Sequence, residues 1–339
     1  MELTKHTIAI HQVAQMLHGA RLQGLDVDRL LNRVGIAPAL LDAPLARVSQ
    51  EQYAHMLRLL SRRMRDEFWG LGSRPLPLGS FAQGCRILVQ CHDLREALQT
   101  GLHYYRLVLA DFAARLRVVG GVAHVTLTTS MPADARTVFA QRAFLFLAYG
   151  LASWLVARRI PLLWVDYRGA DVGQRSDASR LFQAPIRYDQ RYSGVAFDAR
   201  WLDLPVMQNS SSLKEFLQQV PGNLLVKYRD HSSITERIRR ILRRHLSEEM
   251  PSLEEVGKVL AMTPQTLRRR LHDEGQGYQA LKDALRRDAA IEYLARADLS
   301  LIDIAEKLGF SEPSTFHRAF KKWTGVAPGE YRHTRLKSI

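Results

Sequence analysis

Residues 252–323 contain the same local pattern twice, and this repeat constrains the fold more than any other feature of the chain. The first copy runs from Ser252 to Leu271 and the second from Ser300 to Phe320. Each copy predicts a short helix, a tight turn and a second helix, with apolar residues at helical spacing. A helix-turn-helix has this order, and its second helix enters the DNA major groove. Two copies therefore predict one chain that reads two successive grooves.

The starts and ends of these helices have recognisable capping chemistry. Ser252 with Glu255, and Ser300 with Asp303, have the S-x-x-[ED] spacing of a capping box, in which a hydroxyl and a carboxylate satisfy each other's backbone N–H groups. Gly309 fits the left-handed residue that ends a helix. The pattern thus predicts where each first helix begins and where the second copy turns.

The turns of the two copies are expected to differ. In the second copy we expect Ser311 to cap the next helix, with Pro313 in its first turn. In the first copy we expect Thr263 to cap, with Pro264 at the first helical position. Ala261 stands where the second copy has glycine. It either takes a positive φ at some cost, or this turn has another shape.

The second copy carries a family resemblance. Residues 303–332 contain an Ala-x3-Gly-Phe turn, a Phe-x-Arg-x-Phe-Lys helix and a Gly-x-x-Pro-x-x-Tyr-Arg tail. This stretch resembles the second motif in the DNA-binding domain of the AraC/XylS family of bacterial transcription regulators. The resemblance implies an all-α DNA-binding domain with two helix-turn-helix motifs and double-stranded DNA as partner.

Matching the family motif gives candidate DNA contacts on recognition helices at about 264–273 and 312–323. Glutamine can pair with adenine and arginine with guanine, whereas serine and threonine discriminate less. The resemblance places these residues at base edges: Gln265, Arg268, Arg269, Ser314, Thr315, His317 and Arg318. Phosphate or structural roles are expected for Thr263, Arg270 and Lys321. For each base-contact candidate the alternative is a phosphate contact or simple exposure.

The segment between the motifs predicts one helix. Leu281, Leu285, Ala289 and Tyr293 recur at spacings of four within about 277–297. A helix of roughly 20 residues is ~30 Å long, close to the ~34 Å of one DNA turn. We therefore expect a rod that holds both recognition helices on one face of the duplex, with some bending of the DNA.

The N-terminal part predicts helices and strands that are segregated, which is an α+β fold. Residues 115–119 and 122–129 alternate with period two around Gly120 and Gly121, which indicates a β-hairpin. A capping box at Ser49–Gln52 begins one helix. Helices are otherwise expected over about 6–70, 81–109 and the apolar run 143–157, and strands near 162–167, 186–188 and 195–197.

Several features bear on the compartment. As a helix the apolar run 143–157 would be roughly 22 Å long, short of the ~30 Å of a bilayer core, so we expect a buried helix and no membrane partner. Cys85 and Cys91 have neither metal-ligand nor disulfide-framework spacing, and the N-terminus lacks a signal-peptide pattern. We expect a cytoplasmic protein that is nucleoid-associated when bound to DNA.

The N-terminal part also has a resemblance of its own. Residues 25–36, 48–53, 182–186 and 194–205 resemble the N-terminal domain of AraC-family members related to ornithine-utilisation and virulence regulators. The resemblance implies a small-molecule effector and support for homodimerisation. Candidate residues for an apolar effector pocket are Tyr104, Tyr105, Phe112, Phe146 and Tyr149, with ordinary core positions as the alternative.

Together these patterns predict an α+β sensor domain over 1–209, a linker over 210–233 that contains a short helix, and a double helix-turn-helix domain over 234–339. The net charge of +14 and basic pairs beside the predicted DNA-facing helices suit phosphate neutralisation. We expect an effector-responsive transcription regulator that acts with RNA polymerase, as an activator rather than a repressor. One alternative is a non-specific architectural DNA-binding protein without effector. The other is an enzyme whose DNA-binding domain serves only to bring it to DNA.

The enzyme alternative finds little support in the sequence. The chain has no Gly-rich phosphate loop, no G-x-S-x-G elbow, no H-E-x-x-H and no paired-cysteine zinc pattern. The twelve histidines are scattered along the chain. We therefore expect no catalytic residues, no metal site and no cofactor.

Overall fold

The polypeptide forms two units, each of which draws on separated stretches of sequence. A computed structural model describes residues 7–132, 134–170, 182, 184–221, 233–296 and 298–336. The sheet unit comprises the described residues of 15–27 and 54–228. The helical unit comprises the described residues of 1–14, 28–53 and 229–339. The predicted fold class, an α+β part followed by an all-α part, is confirmed.

The elements are numbered in chain order. The strands are β1 (Thr7–Ala9), β2 (Arg47–Ser49), β3 (Phe112–Val119), β4 (Val122–Thr129), β5 (Leu162–Asp166), β6 (Ile186–Arg187) and β7 (Ser193–Asp198). The helices of the N-terminal half are α1 (Ile10–Met16), α2 (His18–Leu22), α3 (Val27–Arg33), α4 (Gln50–Met64), α5 (Ser80–Leu88), α6 (Leu94–Val108), α7 (Ala135–Leu155) and α8 (Ser210–Gln219). The helices of the C-terminal part are α9 (Ile234–Arg244), α10 (Leu253–Leu260), α11 (Pro264–Asp273), α12 (Tyr278–Leu294), α13 (Leu301–Lys307), α14 (Pro313–Thr324) and α15 (Pro328–Leu336). Short 3-10 helices span Pro38–Asp42 and Ala199–Asp203.

A five-stranded sheet in the order β3-β4-β7-β5-β6 organises the sheet unit. The predicted hairpin is confirmed, since β3 and β4 pair antiparallel from Phe112 opposite Thr129 to Val119 opposite Val122. The two-residue turn needs positive φ at both positions, and Gly120 and Gly121 supply φ values of 57° and 77°. β7 pairs antiparallel with β4 and β5, and β5 pairs parallel with β6.

Helix α7 contains the apolar run and is largely buried. It has 21 residues, which is long and apolar enough to cross a bilayer, but 61% of its most apolar window is buried. Trp154 of α7 stacks on Phe216 of α8 with ring centroids 4.1 Å apart. Burial of this degree is expected of a core helix, so α7 is explained by packing within the sheet unit.

The predicted linker 210–233 falls partly on residues 222–232, which lie outside the described residues. The helix expected in it is confirmed as α8. Asn209 caps α8, because its Oδ1 accepts hydrogen bonds from the backbone N–H groups of Ser211 and Ser212.

The helical unit contains a two-stranded sheet from the beginning of the chain. β1 and β2 pair antiparallel, with Thr7 opposite Ser49 and Ala9 opposite Arg47. The expectation of a wholly helical opening over about 6–70 is therefore wrong at these two points. Each strand has three residues, which is too short for a period-two pattern to stand out from the helices around it.

These strands are held to the C-terminal helices by a buried polar network. The Thr7 hydroxyl donates to Oδ1 of Asp288 on α12 at 2.6 Å, and both residues are buried. Arg47 Nε donates to the Thr7 hydroxyl at 2.8 Å, and the Tyr331 hydroxyl donates to the Arg47 carbonyl. Because a buried polar group without its partner is costly, this network ties the first strand pair to α12 and α15.

The interior of the C-terminal helices is built from the apolar positions that the sequence repeats. Phe320 and Tyr331 meet edge to face, with ring centroids 5.5 Å apart. The following side chains are buried: Ile238, Leu242, Val256, Leu267, Leu271, Leu281, Leu285, Ile291, Leu294, Ile304, Leu308, Phe316 and Phe320.

The helix between the two motifs is confirmed but is shorter than expected. α12 has 17 residues, which gives ~26 Å rather than ~30 Å. Gly277 is its N-cap and Ala295 its C-cap, so the helix stops before residue 297. Leu281, Leu285 and Ala289 are buried as expected.

Candidate nucleic-acid interface

Both helix-turn-helix motifs begin with the predicted capping boxes. In α10 the Ser252 hydroxyl accepts from the N–H of Glu255 at 3.2 Å, and Glu255 accepts from the N–H of Ser252 at 2.6 Å. In α13 the matching bonds between Ser300 and Asp303 are 3.0 and 2.7 Å. Hydrogen bonds to the Ser252 backbone and side chain hold the pKa of Glu255 below its usual value, and those to Ser300 do the same for Asp303. Each carboxylate is thereby kept ionised at the positive end of its helix.

The first turn contains a strained alanine and a glycine that allows close approach. Ala261 adopts the left-handed conformation, with φ 53° and ψ 43°, so the first of the two possibilities for this turn is the one observed. The Met262 N–H donates to the Gly257 carbonyl at 2.9 Å. A Cβ on Gly257 would lie 2.6 Å from the Met262 carbonyl oxygen. The turn therefore needs glycine at 257, a requirement that comes from packing and not from φ.

The second turn requires glycine at position 309 for two reasons, its backbone conformation and the close approach of another backbone segment. Gly309 has φ 72°, and a Cβ there would lie 2.6 Å from the carbonyl oxygen of Glu248. The expected cap at Ser311 is wrong, because Glu312 is the N-cap of α14 and makes no side-chain capping bond. Counted from the serine that caps its first helix, the second copy has one more residue before the buried Phe316 than the first copy has before Leu267, and this moves the start of α14 past Ser311.

The two recognition helices each bury one face and expose the other. Leu267 and Leu271 of α11, and Phe316 and Phe320 of α14, are buried at spacings of four residues. α11 has the predicted bounds 264–273, and α14 starts and ends one residue later than the predicted 312–323. The ten candidate contact residues are all exposed: Gln265, Arg268, Arg269, Ser314, Thr315, His317, Arg318, Thr263, Arg270 and Lys321. The structure thus brings the candidates together on two solvent-facing helix surfaces.

The arginines on these faces differ in their bonding. Arg268 Nη2 lies 3.7 Å from Oε1 of Glu254, and both side chains are mostly exposed. Such an exposed ion pair is worth roughly 0.2–1 kcal/mol, so it can be exchanged for DNA at little cost. Arg269 and Arg318 make no hydrogen bond or ion pair with any residue that the structure describes. These two guanidinium groups have their donors available for an acceptor from outside the chain.

Two acidic residues near the candidate surface were not expected from the sequence. Glu312 lies at the exposed start of α14 and accepts a hydrogen bond from the Ser314 hydroxyl at 3.1 Å. Glu254 is the ion-pair partner of Arg268. A carboxylate repels phosphate but can accept a hydrogen bond from cytosine N4. Clusters of basic residues in the sequence do not reveal such positions, because the charge of a glutamate is opposite to that of a residue that contacts phosphate.

Glu274 connects the end of the first recognition helix to the start of α9. It is the C-cap residue of α11. Its carboxylate oxygens accept from the backbone N–H groups of Ile234 and Thr235 at 2.9 and 3.0 Å. A carboxylate at a helix N-terminus accepts hydrogen bonds from the free N–H groups and is attracted by the positive end of the helix dipole. Glu274 thereby fastens the start of α9 to the end of α11.

The sheet unit contains a cavity of about 430 Å³ among helices α4–α8. This volume is in the range of small-molecule sites. Of the five predicted pocket residues, Tyr105 lines the cavity, together with Phe144. The other four lie outside the lining. Of these, Tyr149 is buried with its hydroxyl donating to the Ile160 carbonyl at 2.9 Å. The Tyr104 hydroxyl donates to the Ser80 carbonyl at 2.9 Å.

The remaining two predicted pocket residues pack against other rings. Phe112 stacks on Phe144 with centroids 6.0 Å apart, and Phe146 contacts Phe182 edge to face at 6.0 Å.

Among the described residues, no group of three or more His, Cys, Asp or Glu side chains is placed to hold a metal ion.

Comparison with known families decides the identity of the chain. Residues 24–206, more than half of the sequence, match a family model described as the arabinose-binding domain of AraC transcription regulator, N-term. Residues 256–334 match a helix-turn-helix domain. The chain belongs to the AraC family of transcription regulators. AraC-family regulators bind DNA and sense small molecules through the N-terminal domain, so this chain is a DNA-binding regulator and not an enzyme.

Two sequence relatives of this AraC-family chain agree with the assignment. The ornithine utilization regulator of Pseudomonas aeruginosa is 25% identical over 98% of both chains. An HTH-type transcriptional regulator of Mycobacterium tuberculosis, Rv1395, is 29% identical over 92% of both chains. The crystal structure of transcriptional regulator CdpR from Pseudomonas aeruginosa is 21% identical, covers 82% of this chain and 96% of its own, and has a TM-score of 0.31. The expected resemblance to ornithine-utilisation regulators is confirmed.

Proposed function

We propose that this AraC-family chain is an effector-responsive, sequence-specific activator that places α11 and α14 in successive major grooves. The observation that carries the proposal is the exposure of both candidate faces opposite buried apolar stripes on two paired motifs. Direct readout requires side chains that point away from the core and have free donors. Arg269 and Arg318 meet both requirements among the described residues.

We assign a separate role to each of three consecutive parts of the chain. Residues 1–209 bind the effector and support a homodimer, residues 210–233 connect, and residues 234–339 bind DNA. The strand pair β1–β2 supports the DNA-binding helices through α12. β3 lies at the edge of the five-stranded sheet, and an open strand edge is a common site of pairing between subunits. The regulator acts in the cytoplasm, on the nucleoid, in contact with RNA polymerase.

A pair of variants on α14 tests sequence-specific reading. We expect Arg318→Ala to weaken binding to a site selected from random DNA by roughly ten-fold or more, since a bidentate arginine–guanine contact is worth ~1–3 kcal/mol. Binding of Arg318→Ala to unrelated DNA should change much less. The matched variant Lys321→Ala should weaken both DNAs by a similar factor and reduce the salt dependence, because a phosphate contact carries no sequence information. Gel shifts with the selected and the unrelated DNA over a series of salt concentrations measure the affinities and their salt dependence.

Three results would contradict the proposal. Equal losses on both DNAs for Arg318→Ala would make that residue a phosphate contact. Equal affinity of the unaltered chain for selected and unrelated DNA would favour an architectural protein. A flat salt response would argue against the whole DNA interface.

A further inference from the structure

We infer that the cavity among α4–α8 binds an apolar molecule with one anionic head group, such as a medium-chain carboxylate, with the head group held by Arg58 and Arg62. The inference rests on the proposed function, because it names the chemical class of the effector. Four observations carry it: the apolar lining, two unpaired arginines, an acid that is already bonded, and one free hydroxyl.

The lining of the cavity is mostly hydrocarbon. Side chains from five helices and from the turn after α4 contribute, among them Trp69, Phe81, Phe144, Leu151 and Leu217. A polar ligand buried here would lose its hydrogen bonds to water without gaining others, which costs roughly 1–3 kcal/mol for each hydroxyl or amide group. The body of the ligand must therefore be apolar, and a sugar is a poor fit.

Two arginines mark the place of the head group. Arg58 and Arg62 are spaced four residues apart on α4, both line the cavity, and both are exposed. Neither makes a hydrogen bond or ion pair with any described residue. Like charges at this spacing on a helix repel each other. An anion bound between them removes this repulsion and gains charge-assisted hydrogen bonds.

The acid in the lining is already engaged. Glu67 accepts from the backbone N–H groups of Gly79 and Phe81 at 2.8 and 2.7 Å, at the start of α5. Its charge is thereby stabilised by the helix N-terminus, and its oxygens are directed to the backbone. A ligand ammonium group would find no comparable unengaged acid in the lining, so a basic amino acid is also a poor fit.

One aromatic residue of the lining carries a hydroxyl without a partner among the described residues. Tyr105 lines the cavity, and its hydroxyl makes no hydrogen bond to a described residue. Burial raises the pKa of Tyr105 far above its usual value, so the hydroxyl keeps its proton and remains a donor. Ser61, between the two arginines in sequence, also lines the site. These groups can complete the shell around one carboxylate.

The cavity also reaches the last described residues of the sheet unit. Leu217, Val220 and Pro221 line it, and the segment that leads to the DNA-binding helices follows directly in the sequence. A ligand that fills the cavity therefore contacts α8 and the residues that follow it.

Isothermal titration of the full chain tests the inference with four probes: decanoate, decanol, L-arabinose and L-ornithine. We expect decanoate to bind about ten-fold more tightly than decanol, which corresponds to ~1.4 kcal/mol for the head group. Arabinose and ornithine should give no heat of binding. Equal affinity for decanoate and decanol, or tighter binding of either polar probe, would overturn the inference.

Variants assign the roles of the residues. The double variant Arg58→Gln, Arg62→Gln should bring decanoate down to the affinity of decanol and leave decanol unchanged. Arg63→Gln is the matched control, since Arg63 is exposed on the same helix but does not line the cavity. Ala148→Phe, which adds a ring to the lining, should weaken both probes. Unchanged decanoate affinity in the double variant would overturn the inference even if Ala148→Phe failed to fold.

Gel shifts without probe separate this inference from the proposed function. Loss of decanoate binding with intact DNA binding in the double variant locates the effect in the cavity. A chain that binds decanoate but no DNA would contradict the proposed function and leave the ligand class standing.

Discussion

The left-handed residue is alanine in the first helix-turn-helix turn and glycine in the second, and opposite substitutions at these two positions should have opposite effects on stability. Ala261 and Gly309 both adopt left-handed conformations, with φ 53° and 72°. An L residue with a Cβ loses roughly 1–2 kcal/mol in this region. Replacing alanine by glycine also increases the entropy of the unfolded chain, which costs about 0.4–1 kcal/mol. We therefore expect Ala261→Gly to stabilise the helical unit by about 0.5–1 kcal/mol.

The reverse change at Gly309 should cost much more. Besides the unfavourable φ, a Cβ would lie 2.6 Å from the Glu248 carbonyl oxygen and 3.2 Å from that of Leu246. Both obstacles are backbone atoms, so a side-chain rotation cannot remove them. Overpacking of this kind costs typically about 1–3 kcal/mol. After the entropy gain of the glycine replacement is subtracted, Gly309→Ala should destabilise the unit by about 2–4 kcal/mol.

Urea unfolding of the full chain, followed by far-ultraviolet circular dichroism, measures both changes. Four of the chain's five tryptophans lie in the sheet unit and Trp323 lies in the helical unit, so tryptophan fluorescence reports mainly on the sheet unit. A circular-dichroism transition that differs from the fluorescence transition then reveals separate unfolding of the helical unit. Destabilisation by Ala261→Gly would refute the assignment of strain to this turn. A Gly309→Ala variant as stable as the unaltered chain would refute the close approach of the Glu248 carbonyl.

Three further predictions concern the polar contacts of the helical unit. Thr7→Val removes a donor to the buried Asp288 carboxylate, and we expect a loss of about 2 kcal/mol in urea unfolding; a loss below ~0.5 kcal/mol would show that the strand pair does not support α12. Glu274→Gln weakens the cap of α9, and hydrogen exchange of the first two amides of that helix should become several-fold faster; unchanged exchange would contradict the capping role. Because the folded-state pKa of Glu255 is lowered, its contribution to stability is present above its ordinary value of 4.5 and is lost as the pH falls through the lowered pKa. Glu255→Gln should therefore flatten the stability profile below about pH 4.5 in thermal unfolding, and a profile as steep as that of the unaltered chain would contradict it.

The sequence predicted those features that depend on local chemistry. The capping boxes, the left-handed Gly309 and the Gly120-Gly121 hairpin turn each need particular residue types within a few positions. The exposed face of α14 followed from its apolar spacing, because burial of Phe316 and Phe320 fixes the opposite side. These inferences need no knowledge of distant contacts, and the structure confirms them.

Features that depend on distant contacts were missed. The partner of Thr7 is 281 residues away, and no local pattern links a strand at the start of the chain with a helix near its end. The need for glycine at 257 arises from a neighbouring carbonyl rather than from a turn type. The cavity is lined by residues from five helices that are distant in sequence. The five predicted pocket residues came from two short aromatic segments, and only Tyr105 among them lines the cavity.

The shift in the start of α14 has a simple origin. The extra residue in the second turn places Glu312, rather than Ser311, before Pro313. Ser311 and Thr263 look equivalent when the two copies are aligned at their first helices. The insertion becomes visible only when the buried positions Leu267 and Phe316 are aligned as well.

Hydroxyl-radical footprinting on a selected DNA site tests the central claim most directly, namely that two recognition helices on one rod read one duplex. The ~26 Å length of α12, with a recognition helix beyond each end, predicts two protected patches on the same face of the DNA, about one helical turn apart. Arg318→Ala should reduce the protection of one patch and Arg269→Ala that of the other. A single protected patch, or two patches on opposite faces of the duplex, would contradict the claim.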